Sequence, residues 1–105
     1  LPLITCEEGN HEFHSTSLEG IIELHSGAIL QGTAKINILL TSQLNSEISP
    51  DISESPMNIS ELHILSTPTI SFHLETNTAY SQLIIEEFIS STPKHVTLRV
   101  IENSP

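Results

Sequence analysis

The feature that most constrains this chain is a recurring two-residue rhythm. Apolar residues fall at every second position over short stretches, and turn-forming residues break each stretch. Successive side chains of an extended strand point to opposite faces, so these stretches read as half-buried β-strands. "LITCE" is a short candidate, "EEGN" a turn, and "HEFHS" the next extended piece. "GIIELHS" follows Gly20, "HSGA" interrupts it, and "AILQ" resumes. In "AKINILLTSQ", Ile36, Ile38 and Leu40 share one phase and Leu39 falls on the other. "ISELHILS", "TPTISFHLE" and "KHVTLRVIE" read as further strands, the last with Val96, Leu98 and Val100 in phase. "AYSQLIIEEFISS" would suit a helix face as well, but its isoleucines and its Ser-Ser-Thr-Pro ending favour a strand. Residues 45–58 hold two prolines among Ser, Asn and acidic residues, and read as the longest loop.

Seven or eight short strands with turns between them predict an all-β chain: a sandwich, a barrel or a jelly roll. At 105 residues the chain fits one domain, 1–105. With no tryptophan, one tyrosine and three phenylalanines, the core must come from Ile, Leu and Val. "LHSGAILQGTAKI" has a loose likeness to a hexapeptide β-helix rung, but its glycine pattern does not continue, and no fixed-period repeat is read.

Thirteen carboxylates against three basic residues give a formal net charge of −10. Such a field repels nucleic acid and anionic membranes and attracts basic proteins or cations. The acids are spread along the chain, with no block long enough to disorder it. Cys6 is the single cysteine, which excludes an intrachain disulfide framework and fits a reducing, intracellular compartment. No apolar run approaches the roughly 18 residues of a membrane helix. The opening at Leu1 is the start expected of a trimmed or processed product. Asn58-Ile59-Ser60 matches the glycosylation acceptor pattern, which occurs often by chance.

His25, His63, His73 and His95 fall on the polar phases of their strands, where adjacent strands could bring imidazoles together around a metal. Solvated, independently titrating side chains are the plainer reading. His11 and His14 would share a helix face, but on a strand they diverge. "HEFHSTSLE" and "PTISFHLETN", with Pro68, His73 and Asn77, loosely resemble the two motifs of the cupin barrel, although His-x-x-His puts the first pair out of phase. Cys6 reads as a buried structural thiol rather than a nucleophile, and Glu7/Glu8 and Glu86/Glu87 diverge on strands. No phosphate-binding glycine loop, zinc-ligand set or nucleophile elbow is present, so the expectation is a non-enzyme with no cofactor and no metal.

A colinear set of segments carries a further resemblance. "TPTISF" looks like the Gln-Pro-Thr-Val-Ser-Leu strand of the nucleoplasmin/nucleophosmin family, through Pro68, Thr69 and Ser71. "AILQGTAK" resembles that family's Ser-Leu-Gly-x-Gly-Ala-Lys turn through Leu30, Ala34 and Lys35. "TPKHVT" resembles its Gly-Pro-Val-His-Ile-Ser segment through Pro93, His95, Val96 and Thr97, and "LITCEE" with "HEF" resembles its opening strands through Cys6, Glu7 and Phe13. The resemblance implies an eight-stranded jelly-roll/β-sandwich barrel assembling as a homo-pentamer, a nuclear histone chaperone. Its partners would be histones or other basic proteins, with no direct contact to nucleic acid or membrane. Glu7, Glu8, Glu12 and Glu19 would then be the partner-binding acids, and Leu39 and Ile101 would supply apolar surface for the ring. A cupin-like metal-binding barrel and a structural β-sandwich interaction module are the alternatives.

Overall fold

The computed structural model describes residues 2–14, 16–53, 55–90 and 96–102. They form eleven strands: β1 (Leu3–Cys6), β2 (Gly9–Phe13), β3 (Ser17–Leu24), β4 (Ala28–Gly32), β5 (Lys35–Thr41), β6 (Glu47–Pro50), β7 (Met57–Ile64), β8 (Thr69–Thr76), β9 (Ala79–Tyr80), β10 (Leu83–Ser90) and β11 (Thr97–Glu102). The strands alternate between two sheets. One sheet runs β1-β3-β5-β7-β10 and the other β2-β4-β6-β8-β11, and every pairing along these paths is parallel. β9 pairs antiparallel with β8 as a side hairpin.

A chain that alternates between two parallel sheets, returning one strand further along each time, is winding as a coil. The molecule is a parallel β-solenoid of about four turns. The expected jelly-roll or β-sandwich barrel is therefore corrected: all-β holds, but jelly rolls and sandwiches are built from antiparallel pairs. The long loop expected over 45–58 is corrected as well, because it contains β6 and the first residues of β7. Prolines do not exclude the segment: Pro50 closes β6, and Pro56 lies just outside β7.

The core consists of side-chain ladders running along the solenoid axis. In the first sheet Ile4, Ile22, Leu39, Leu62 and Phe88 stack in register, as do Leu18, Ile36, Ile59 and Ile85. In the second, His11, Leu30, Ile48, Ile70 and Leu98 stack. The steps from Leu18 to Ile36, Ile59 and Ile85 are 18, 23 and 26 residues, lengthening where the connections carry residues 51–56 and the β9 hairpin. Unequal steps hide the repeat from a search for a fixed period.

Leu39 is fully buried, which corrects its expected place on a ring-forming surface. Two consecutive residues, Asn37 and Ile38, turn away from the core between Ile36 and Leu39, and this reverses the phase. The same step recurs at Ser60–Glu61 in β7, so the phase change is stacked from rung to rung. Gly32 marks a close approach of another kind. Its φ of 115° lies in the region glycine favours, and a Cβ there would run into the carbonyl of Phe13 on the neighbouring rung.

Candidate functional site

The ladders end at the β10–β11 rung, and there the molecule departs from ordinary burial. Phe88 stacks on Leu62, Leu98 on Ile70 and Val100 on Phe72. All three point along the core phase, yet Phe88 is 50% exposed, Leu98 66% and Val100 64%, against 0% for Leu62 and 4% for Ile70. Leu83 and Ile85, in phase beside them, are only partly buried against the core. The outer edges of β10 and β11 also lack a strand neighbour among the described residues, so each presents a row of parallel-ladder N–H and C=O groups. This end combines an apolar floor with two open strand edges. It is flanked by acids: Glu87 stacks directly on Glu61, and Glu102 closes β11. Arg99 on β11 is engaged, its guanidinium donating to Glu47 at 3.2 Å and to the Ser71 hydroxyl at 3.2 Å.

The opposite end is closed. Cys6 is 1% exposed, and Ile4 and Phe13 pack against the core. His11 occupies the foot of the Leu30–Leu98 ladder, and its Nε2 lies 2.7 Å from the carbonyl oxygen of Glu7, drawing the β1–β2 turn across the rung. Pro2 lies over Gly20, its carbonyl accepting the Ile21 N–H at 2.8 Å, and a Cβ on Gly20 would collide with it. Burial, reinforced by the neighbouring Glu7 charge, pushes the Cys6 thiol up, so it is a packed core group rather than a poised nucleophile.

Three of the four acids expected to bind partners cluster at this closed end. Glu7 Oε2 lies 3.1 Å from Nδ1 of His25, whose Nε2 lies 2.8 Å from Glu23 Oε1. Glu12 and Asp51 flank His14 at 3.5 and 3.4 Å. Glu8 lies against Gly27. Glu19 sits apart, in a cleft on the outer face of β3 and β5. The structure thus ties Glu7 and Glu12 to histidines and separates Glu19 from the rest.

The histidines among the described residues do not assemble. His25 lies in the turn after β3, His63 pairs with Glu61 at 3.1 Å, and Nε2 of His73 lies 3.0 Å from the Ser49 hydroxyl. His95 lies outside the described residues. Among the described residues no three His, Cys, Asp or Glu side chains are grouped to hold a metal ion. The Ser49–His73 contact has the spacing of a nucleophile and its base. However, Ser49 is buried and no third group orients the ring among the described residues, so it ties β6 to β8. Glu23 and His25 perturb each other. The hydrogen bond from His25 lowers the Glu23 carboxyl despite partial desolvation, and the bond to Glu23, helped by Glu7, raises the His25 imidazole.

Phe88, Leu98 and Val100 were legible in the sequence only as core positions. Nothing in a period-two pattern says which rung is last. No helix among the described residues is long and apolar enough to cross a membrane. No family model, curated protein or solved structure matches the chain.

Proposed function

We propose that this chain is a structural β-solenoid segment, acting by stacking rather than by catalysis. Its β10–β11 end would receive a further parallel rung. The observation that carries this reading is the exposure of Phe88, Leu98 and Val100 in the phase whose preceding members form the core. Fully burying such a side chain is worth about 1.5–3 kcal/mol, and these three are half-buried or less, so covering them would return several kcal/mol. Two parallel edges in register favour an occupant that is itself a strand pair with apolar residues in the inward phase. The stacked Glu61 and Glu87 favour basic residues on the occupant's outward phase. A second copy is the poorer occupant, because its closed end offers the polar His11 and a covered Cys6. The histone-chaperone expectation loses the jelly-roll ring that motivated it; the preference for a basic partner survives as charge.

The test is titration of the chain with a synthetic strand-turn-strand peptide carrying Leu inward and Lys outward, followed by backbone NMR. Shifts confined to β10 and β11, and lost in a Leu98→Lys/Val100→Lys double variant that still folds, are expected. No shifts, or equal shifts at β1 and β2, would overturn the reading. A pentameric native mass with salt-sensitive histone binding would restore the chaperone expectation in its place.

A further inference from the structure

A second surface, independent of the stacking end, lies on the outer face of the first sheet. β3 carries an extra residue between Leu18 and Ile21 relative to β5, which displaces Glu19 from the outward column. The Asn37 side chain fills the irregularity, its Nδ2 donating to the Glu19 carbonyl at 3.0 Å. Beside it opens a cleft of about 470 Å³ lined by Ser17, Leu18, Glu19, Lys35, Asn37 and Ser60. A second cleft of about 470 Å³ shares Ser17 and Lys35 and continues past Asn58. The two meet at one outward column, Ser17–Lys35–Asn58, running along the solenoid axis.

The chemistry of this surface is specific in two respects. Its polar side chains are mostly neutral hydroxyls and carboxamides, which donate and accept hydrogen bonds without demanding charge. Lys35 is exposed and has no acidic partner within ion-pair distance among the described residues, in a chain of formal net charge −10. The other described cation, Arg99, is already bound to Glu47. A ligand matched to this column has many hydroxyls and a sparse negative charge. A dense polyanion such as nucleic acid would be opposed by the surrounding field. We propose that the Lys35 clefts bind a carboxylated oligosaccharide, its carboxylate on the Lys35 ammonium and its hydroxyls on Ser17, Asn37, Asn58 and Ser60.

The experiment is titration of the full chain with glucuronosyl-xylotriose, which carries one carboxylate on four sugars, and with xylotetraose as the neutral comparison, followed by side-chain and backbone NMR. Shifts at Lys35, Asn37 and Asn58 at millimolar glucuronosyl-xylotriose are expected. Affinity should fall about twofold to fivefold for xylotetraose and for Lys35→Met, the loss of one solvent-exposed ion pair. Lys35→Arg should restore most of it, and Arg99→Met should leave it unchanged. The absence of these shifts, or an equal loss in Arg99→Met and Lys35→Met, would overturn the proposal. So would Lys35→Met binding both tetrasaccharides as the parent chain does, provided the variant keeps the parent's β5 amide shifts.

Discussion

At the β1–β2 end the chain folds its own polar groups across the stack; at the β10–β11 end the same stack stops on bare hydrocarbon. The Leu30–Ile48–Ile70 ladder makes the contrast plain, since it is flanked by His11 at one end and Leu98 at the other. His11 reaches the Glu7 carbonyl and closes the rung, whereas Leu98 has a covered neighbour on one side and, among the described residues, none stacked on the other. Solenoids are held together by nearest-neighbour contacts, so a terminal rung needs a polar outer face or a partner. One end of this molecule meets the first condition; at the other, Phe88, Leu98 and Val100 stay exposed. A side chain's exposure here reflects its place in the stack more than its own hydrophobicity.

The sharpest way to break this comparison is to cut the same ladder type at its middle and at its end. Leu39→Ala removes a fully buried side chain and should cost about 2–5 kcal/mol in denaturant unfolding. Leu98→Ala should cost less than about 1 kcal/mol, since most of that side chain already meets water. Similar losses for the two would mean that the β10–β11 end is not open. Leu39→Glu, a monomer-forming change if Leu39 lay on a ring surface, should instead leave no cooperative unfolding transition.

The closed end can be opened from within. Gly20→Ala places a methyl group against the Pro2 carbonyl, and a backbone shift there should cost about 1–3 kcal/mol. The accompanying loss of amide-exchange protection should be concentrated in β1, with β10 unaffected. Uniform loss across both ends would show that the β1–β2 rung is not a separate closure.

The His25 contacts sharpen the comparison through pH, because they tie the β1–β2 turn to the turn after β3. The imidazole is raised above its ordinary value of 6.5, first by the hydrogen bond to Glu23. Its contribution is therefore complete below about 6.5 and is lost as pH rises through the raised value. The Glu23 carboxyl is lowered below 4.5, first by His25, so its contribution is complete above about 4.5 and is lost as pH falls through the lowered value. The stabilising window therefore spans about pH 4.5 to 6.5. In that window His25→Gln should lower the urea midpoint relative to the parent chain, and the difference should shrink on the alkaline side. A pH-independent difference would assign His25 a packing role only.

The smallest effects belong to the remaining surface acids. Glu8→Gln should move stability by no more than about 0.5 kcal/mol. It should also leave the peptide titration at the β10–β11 end unchanged, since Glu8 lies at the other end of the stack.

Much of the strand placement was legible because the two-residue rhythm is strong. The segments read as strands at "LITCE", "GIIELHS", "AILQ", "ISELHILS" and "TPTISFHLE" all overlap strands of the solenoid, and the ambiguous "AYSQLIIEEFISS" contains β10. The rhythm failed where geometry breaks it, at Asn37–Ile38, which exchanges Leu39 for Ile38 in the core. It also failed in 45–58, where four residues of strand are too short to stand out from their turn-like surroundings. The likeness of "LHSGAILQGTAKI" to a β-helix rung was the one local sign of the architecture. It faded because later rungs lengthen through side excursions rather than repeating their glycines. The acids expected to act together were visible as charges, but their distribution over the closed end, the histidines and the Lys35 cleft was not.

The sequence by itself determined that the chain is extended and apolar on alternate residues, acidic, and built on Ile and Leu. Tertiary structure decided that the strands run parallel, that two sheets alternate, and that Phe88, Leu98 and Val100 are exposed although they lie in the core phase. The physical reason is that a period-two pattern specifies which face of a strand is buried, while the direction and order of its neighbours depend on backbone pairing between residues far apart in the chain.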